Sequence, residues 1–212
     1  MKEVMPTDNK SFLIVARHGA TAWNESGKIQ GLNDQPLSDL GRSQALCLAE
    51  WAAEQNIAQI YTSDLLRAFE TAEIVARHIN KKVELSPLLR ERDKGRFEGM
   101  DKDQLLKEQG KFGVENIDPY QNWNDVPGVE SNQAIWLRIK TFIQDENILT
   151  KPFTILLITH AGIIKSMITG TVSKPDWLYN GFNVENGSTV SFQKSAGSLQ
   201  MIRLWHNPIK EL

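Results

Sequence analysis

Little in this chain points to a membrane, an oxidising compartment or a polyanionic partner. Among its 212 residues the only cysteine is Cys47. No disulfide can therefore form within the chain, and no zinc site can be built from thiolates. Leu46 and Leu48 flank that cysteine in a helical pattern, so its thiol is expected to be buried. The longest apolar runs, Phe12–Ala16 and Ile155–Ile158, fall far short of the roughly 18 residues that a membrane span needs. The opening MKEVMPTDNK lacks the apolar stretch of a secretion signal, which makes the cytoplasm the expected location. Lys and Arg total 24 against 26 Asp and Glu, a net charge of −2. Nucleic-acid binders usually show a basic excess, so nucleic acid is not an expected partner.

What is present is the composition of an ordinary folded enzyme-sized chain. Hydrophobic residues at 41% and charged residues at 24% exclude a disordered or fibrous protein. At roughly 150 residues per domain, residues 1–212 are expected to form a single domain. The all-apolar run 12–16 reads as a strand buried on both faces. Further strands are expected at 57–62, 83–85 and 153–159. A closing hairpin is expected from 190–193 and 199–204. Ser38 can cap a helix to about Gln55, with Leu40, Leu46 and Trp51 on its apolar face, although Gly41 weakens its start. Asp64 is positioned to cap a helix to His78, and Ser131 one to Asp145. Helices are also expected at 101–110 and 161–168. Strands alternating with helices imply an α/β fold, a three-layer α/β/α sandwich with a mostly parallel central sheet. The irregular region around 100–130 is expected to be a small inserted lid.

In such sheets, ligands bind beyond the carboxyl ends of the strands. The first strand ends in Arg17-His18-Gly19, the second in Thr62-Ser63-Asp64 with Arg67 one turn on, and the 153–159 strand in His160-Ala161-Gly162. Four residues able to carry positive charge thus converge on one edge. Glycines beside them permit close backbone approach, and helix N-termini offer amides. Two arginines can clamp the oxygens of a phosphate group. The expected ligand is a small phosphomonoester. No spacing suggests a metal site, and no cofactor is expected.

Four motifs in order carry a resemblance over about residues 12–192. They are Arg17-His18-Gly19 with Trp23-Asn24, Gln30-Gly31, Asp34 to Ser38 and Gly41; Ser63-Asp64-Leu65-Leu66-Arg67-Ala68 with Thr71-Ala72; Leu89 to Gly99; and Thr159-His160-Ala161-Gly162. The chain resembles the histidine phosphatase superfamily, also called phosphoglycerate mutase-like. The resemblance implies that His18 is a nucleophile that takes the phosphoryl group. Arg17, Arg67 and His160 would hold the phosphoryl oxygens. Asn24, the Gln30-Gly31 segment and Ala161 would add substrate contacts, with Glu91 protonating the leaving oxygen and then activating water. Glu98 reads as a structural partner for a backbone turn, and His78 and His206 as structural.

Both a phosphatase and a cofactor-dependent mutase use this residue set, and a non-catalytic phosphate binder is a third reading. The short segment between Gly99 and Ser131, Phe97-Glu98-Gly99, and Asn186 to Val190 resemble the phosphatase branch. Ala20, Val129 and Lys94 depart from the family pattern. Lys94 stands where a hydrophobic residue is usual, and with Arg96 it is a candidate for recognising a second anionic group. The hairpin at 190–204 offers a sheet edge through which a homodimer could form.

Overall fold

The computed structural model describes residues 11–109, 111, 123, 126–171, 183–195 and 198–209. Six strands form one sheet: β1 (Phe12–Arg17), β2 (Ile57–Thr62), β3 (Val83–Leu85), β4 (Thr154–Thr159), β5 (Thr189–Ser195) and β6 (Ser198–Trp205), in the order β3-β2-β4-β1-β5-β6. β1, β2, β3 and β4 run parallel; β5 pairs antiparallel with β1, and β6 pairs antiparallel with β5. The helices are α1 (Ala22–Glu25), α2 (Asp39–Ala53), α3 (Leu66–His78), α4 (Lys102–Gln109), α5 (Asn132–Asp145) and α6 (Ala161–Thr171). Short 3-10 turns lie at Pro87–Leu89 and Gly95–Phe97. No helix among the described residues is long and apolar enough to cross a membrane.

The two-residue period of a strand makes the sandwich. Leu13 and Val15 of β1 join Ile155 and Leu157 of β4 against Ile135, Ile139 and Phe142 of α5 and Ile163, Ile164 and Met167 of α6. Phe12, Ile14 and Ala16, with Leu156 and Ile158, face the other way onto Leu48, Ala49 and Ala52 of α2 and Ala68, Ala72 and Val75 of α3. All six residues of β4 are buried, as a strand covered on both faces requires. A smaller cluster of Ile29, Phe97, Leu105, Trp123 and Val126 ties α4 to the turn at Gly95–Phe97. Part of the expected lid, residues 110, 112–122 and 124–125, lies outside the described residues.

Three local expectations are corrected. Asp64 does not cap α3. Its carboxylate pairs with Arg90, whose Nε donates to Oδ1 at 2.7 Å, and the Leu66 amide instead donates to Asp34 Oδ1 at 2.6 Å. Leu46 is exposed, because Ala45, Leu48, Ala49 and Ala52 set the buried stripe of α2 and position 46 falls outside it. Cys47, at the edge of the same stripe, is only partly buried.

Ser38 does cap α2, accepting from the Gly41 amide at 3.1 Å, and Ser131 caps α5 in the same way through Ala134. Gly41 is required by contact. A Cβ there would overlap the Ala20 carbonyl oxygen, since α2 begins directly against the loop that follows β1. Helix propensity alone predicts that Gly41→Ala stabilises by up to about 1 kcal/mol. The backbone contact predicts a loss of about 1–3 kcal/mol instead. Urea unfolding of the Gly41→Ala protein reads the sign directly, and a gain in stability would contradict this packing.

Candidate active site

The carboxyl ends of β1, β2 and β4 bring the site together. His18 follows β1, with its amide donating to Thr159 O of β4 at 2.9 Å. His160 follows β4, and the two imidazoles meet edge to face with centroids 5.1 Å apart. Both are buried, at 3% and 0% exposure. Arg67, in the first turn of α3, is 1% exposed and reaches across from the other strand. Its Nη1 donates to Asn33 O and its Nη2 to Gly31 O, each at 2.8 Å, while Nε points at His18 Nε2 at 3.2 Å.

That last contact fixes the tautomer of His18. A guanidinium nitrogen can only donate, so Nε2 must accept and carries no proton. Nδ1 therefore holds the hydrogen, and it donates to Gly19 O at 2.6 Å. Burial, followed by the charges of Arg67 and Arg17, pushes the His18 pKa well below its ordinary value, against the opposing effect of the Gly19 carbonyl. The ring is neutral, with an oriented lone pair on Nε2. His160 is lowered well below the ordinary value by the same kind of environment, burial first and then Arg67. The four expected charges are thus two arginines and two neutral imidazoles. Among the described residues, neither ring nitrogen of His160 has a hydrogen-bond partner.

Glu91 reaches the same place from the loop after the Pro87–Leu89 turn. Oε1 accepts from the Arg92 amide at 2.7 Å and Oε2 from the Gly162 amide at 3.2 Å, in the first turn of α6. A Cβ at Gly162 would overlap that carboxylate. Burial alone would raise the Glu91 pKa. Lys94, the two amides and Arg67 outweigh it, so the carboxyl lies below its ordinary value and is ionised at neutral pH. Burial lowers Arg67 to about 10, with Glu91 and Asp34 opposing, so it stays a cation at neutral pH.

The remaining expected residues take specific places. Arg17 Nη1 donates to Val184 O at 2.7 Å, which orients the guanidinium at the end of β1. Asn24 spends its Oδ1 on the Thr21 amide and on Asn186 Nδ2, leaving its own NH2 for a ligand. Gln30 is buried, and its Oε1 has no hydrogen-bond partner among the described residues. Gly31, at φ 58°, contributes its carbonyl to Arg67. Ala161 opens α6. Glu98 is a turn partner as expected: Oε1 accepts from the Leu32 amide at 2.7 Å and from the Lys94 amide at 3.2 Å.

Three supporting residues carry no site role in the sequence reading. Thr71 Oγ1 accepts from the Gly19 amide and donates to Arg67 O, joining the loop after β1 to α3. Asn186 Nδ2 donates to His18 O at 3.0 Å. Arg138, paired with Glu130 at 2.7 Å, donates to Leu88 O and Glu91 O and so sets the Glu91 loop. Thr71 and Asn186 lie inside segments that carry the family resemblance; nothing local marks Arg138.

The arrangement holds an unprotonated imidazole nitrogen, two fixed guanidinium groups and a carboxylate around one small space, as transfer of a phosphoryl group requires. Comparison with known proteins agrees. The profile of the histidine phosphatase superfamily (branch 1) matches residues 13–207. A protein of Arabidopsis thaliana named phosphoglycerate mutase-like protein 4 is 38% identical over 161 residues, 73% of this chain and 68% of that one. A protein of Photorhabdus laumondii named as a probable phosphoglycerate mutase is 32% identical over 160 residues, 76% of this chain and 74% of that one. The structure of an Entamoeba histolytica phosphoserine phosphatase variant in complex with phosphoserine superposes with a TM-score of 0.74 at 28% identity, covering 95% of this chain and 99% of that one. With its motifs gathered at the ends of β1, β2 and β4 and its profile match running nearly end to end, the chain belongs to the histidine phosphatase superfamily.

Proposed function

We propose that the protein is a hydrolase of small phosphomonoesters that works through a phosphohistidine on His18. The observation that carries this reading is the bond from Arg67 Nε to His18 Nε2, which fixes an unprotonated nucleophile beside a buried cation. In the first step the Nε2 lone pair forms a P–N bond as the P–O bond to the leaving group breaks. The incoming phosphoryl oxygens give Arg67 and Arg17 charged acceptors, and a neutral His160 adds one N–H donor. Entry of a phosphate dianion opposes the ionisation of Glu91 and favours its taking up the proton that the leaving oxygen needs. In the second step the Glu91 carboxylate takes a proton from water, the water oxygen attacks phosphorus, and the P–N bond breaks. This restores neutral His18 and releases phosphate.

Water as the final acceptor is supported by the short Gly99 to Ser131 segment and by the Phe97-Glu98-Gly99 and Asn186 to Val190 sequences. The Entamoeba relative is named for phosphatase activity. The Arabidopsis and Photorhabdus proteins are named for a mutase, a reaction that passes the phosphoryl group to a second organic acceptor. A single assay separates the two. With 3-phosphoglycerate and its bisphosphorylated partner present, release of inorganic phosphate is expected to outpace isomerisation. Efficient isomerisation with negligible phosphate release would overturn the hydrolase reading. His18→Ala is expected to reduce phosphate release more than about 1000-fold, and full hydrolysis by that protein would remove the mechanism.

The neutrality required of His18 also has a readout that needs no substrate. Burial depresses both imidazoles in the folded state, most strongly through desolvation. On unfolding, each regains a pKa of about 6.5 and binds a proton below it. Stability is therefore complete above about pH 6.5 and falls as the pH drops below that value. The loss is at most about 1.4 kcal/mol per pH unit for each imidazole. Urea unfolding between about pH 7 and pH 5 should show this slope, and His18→Gln and His160→Gln should each flatten it. A stability indifferent to pH across that range would contradict neutral burial.

A further inference from the structure

Lys94 is a basic residue whose side-chain nitrogen has no hydrogen-bonded partner among the described residues, although its charge helps to hold Glu91 ionised. It follows Glu91 by three residues, on the loop between the two 3-10 turns, and its Nζ lies 3.8 Å from the centroid of the Trp123 ring. Among the described residues that ammonium donates no hydrogen bond and pairs with no carboxylate. The residue keeps some exposure, yet its amine sits deep among protein atoms; burial lowers its pKa well below the ordinary value, and the Glu91 carboxylate opposes that shift, as a ligand carboxylate would. A desolvated ammonium without acceptors is unfavourable unless something else supplies them.

Elsewhere the fold treats a buried lysine differently. Lys194, at 8% exposure, donates to the carbonyl oxygens of Lys151 and Phe153 at 2.7 Å each, and it is thereby a structural cation. Arg96, the other basic residue on the Lys94 loop with an expected ligand role, donates to Pro127 O at 3.0 Å and lies against the Phe97 ring. Arg92 donates to Glu130 O and to Asn132. Lys94 is the one of these that keeps its donors in hand while standing beside Glu91, the carboxylate on which its charge acts most strongly. A family resemblance does not account for it either, because a hydrophobic residue is usual at this position.

We propose that Lys94, resting on Trp123, forms a second anion subsite next to the phosphoryl site and selects phosphomonoesters that carry a carboxylate on their organic part. A single ammonium neutralises one negative charge, which matches a carboxylate better than a second phosphoryl dianion. The aromatic face holds the ammonium without a hydrogen-bond acceptor, so the N–H donors turned away from the ring remain for a ligand oxygen. The inference rests on the phosphoryl site assigned to His18 and Arg67, and it holds whether the phosphoryl group passes to water or to another acceptor.

The test compares 3-phosphoglycerate with glycerol 3-phosphate, which differ in a carboxylate against a hydroxymethyl group. The quantity read is the ratio of kcat/KM values for phosphate release, in the unaltered protein, Lys94→Met and Lys94→Arg. The same two esters are also titrated by calorimetry into His18→Ala with and without Lys94→Met. A preference for the carboxylate ester of about ten- to hundredfold is expected, the worth of one charge-assisted hydrogen bond. It should collapse toward unity in Lys94→Met, mainly through KM, and survive in part in Lys94→Arg. No preference in the unaltered protein, or equal losses for both esters in Lys94→Met, would overturn the subsite. If no phosphate is released from either ester but the Lys94-dependent difference in Kd persists, the hydrolase reading fails and the subsite stands. Hydrolysis of both esters without preference removes the subsite and leaves the hydrolase reading in place.

Discussion

The rest of the site depends on a guanidinium held inside the protein. Arg67 is almost fully buried, and a desolvated cation is tolerated only where acceptors and opposite charge surround it. Here the carbonyls of Gly31 and Asn33 take two of its N–H groups, and Glu91 and Asp34 supply negative charge. The third direction, Nε, is left to aim at His18. That contact selects the imidazole tautomer and opposes protonation of the ring, and in the proposed mechanism it also sets a positive group where phosphoryl charge develops. A lysine could supply the charge but could not satisfy two carbonyls and the imidazole in one plane.

Precision at that guanidinium is built from both sides. Thr71, one turn along α3, accepts from Gly19 and donates to Arg67 O, so the loop that carries His18 is tied to the helix that carries the arginine. The carbonyls that receive Arg67 belong to the Gly31–Asn33 loop. Glu98 anchors that loop through Leu32 and also receives the Lys94 amide. A Cβ at Gly31 would overlap Glu98, so the positive φ and the close approach both require glycine there. Through Glu98, the loop that carries Lys94 is therefore tied to the loop that receives Arg67.

Local physics determines part of this molecule, and that part is legible in the residues alone. The strands at 57–62 and 83–85 and the serine caps at 38 and 131 depend on neighbours in sequence, and the structure has them where expected. The chemistry at the strand ends is legible for the same reason: a parallel sheet delivers its carboxyl ends to one edge whatever the details of packing. Asp64 defeats a local reading because Arg90, 26 residues away, captures its carboxylate while Asp34 serves the helix amide. Leu46 does so because its neighbours Ala45 and Leu48 decide the phase of α2. The charge state of His160 and the role of Arg138 are hidden as well, since both arise from burial and long-range contacts.

In the proposed mechanism Nε2 of His18, and no other atom, carries the phosphoryl group between substrate and acceptor. Rapid quenching of the reaction with a labelled phosphomonoester, followed by peptide mapping and phosphorus NMR of the denatured protein, tests it most directly. An acid-labile, base-stable phosphoramidate on the Nε2 position of His18 is the predicted result. Phosphate on Nδ1 or on His160, or turnover with no phosphoenzyme under conditions where its formation outpaces its loss, would contradict that mechanism.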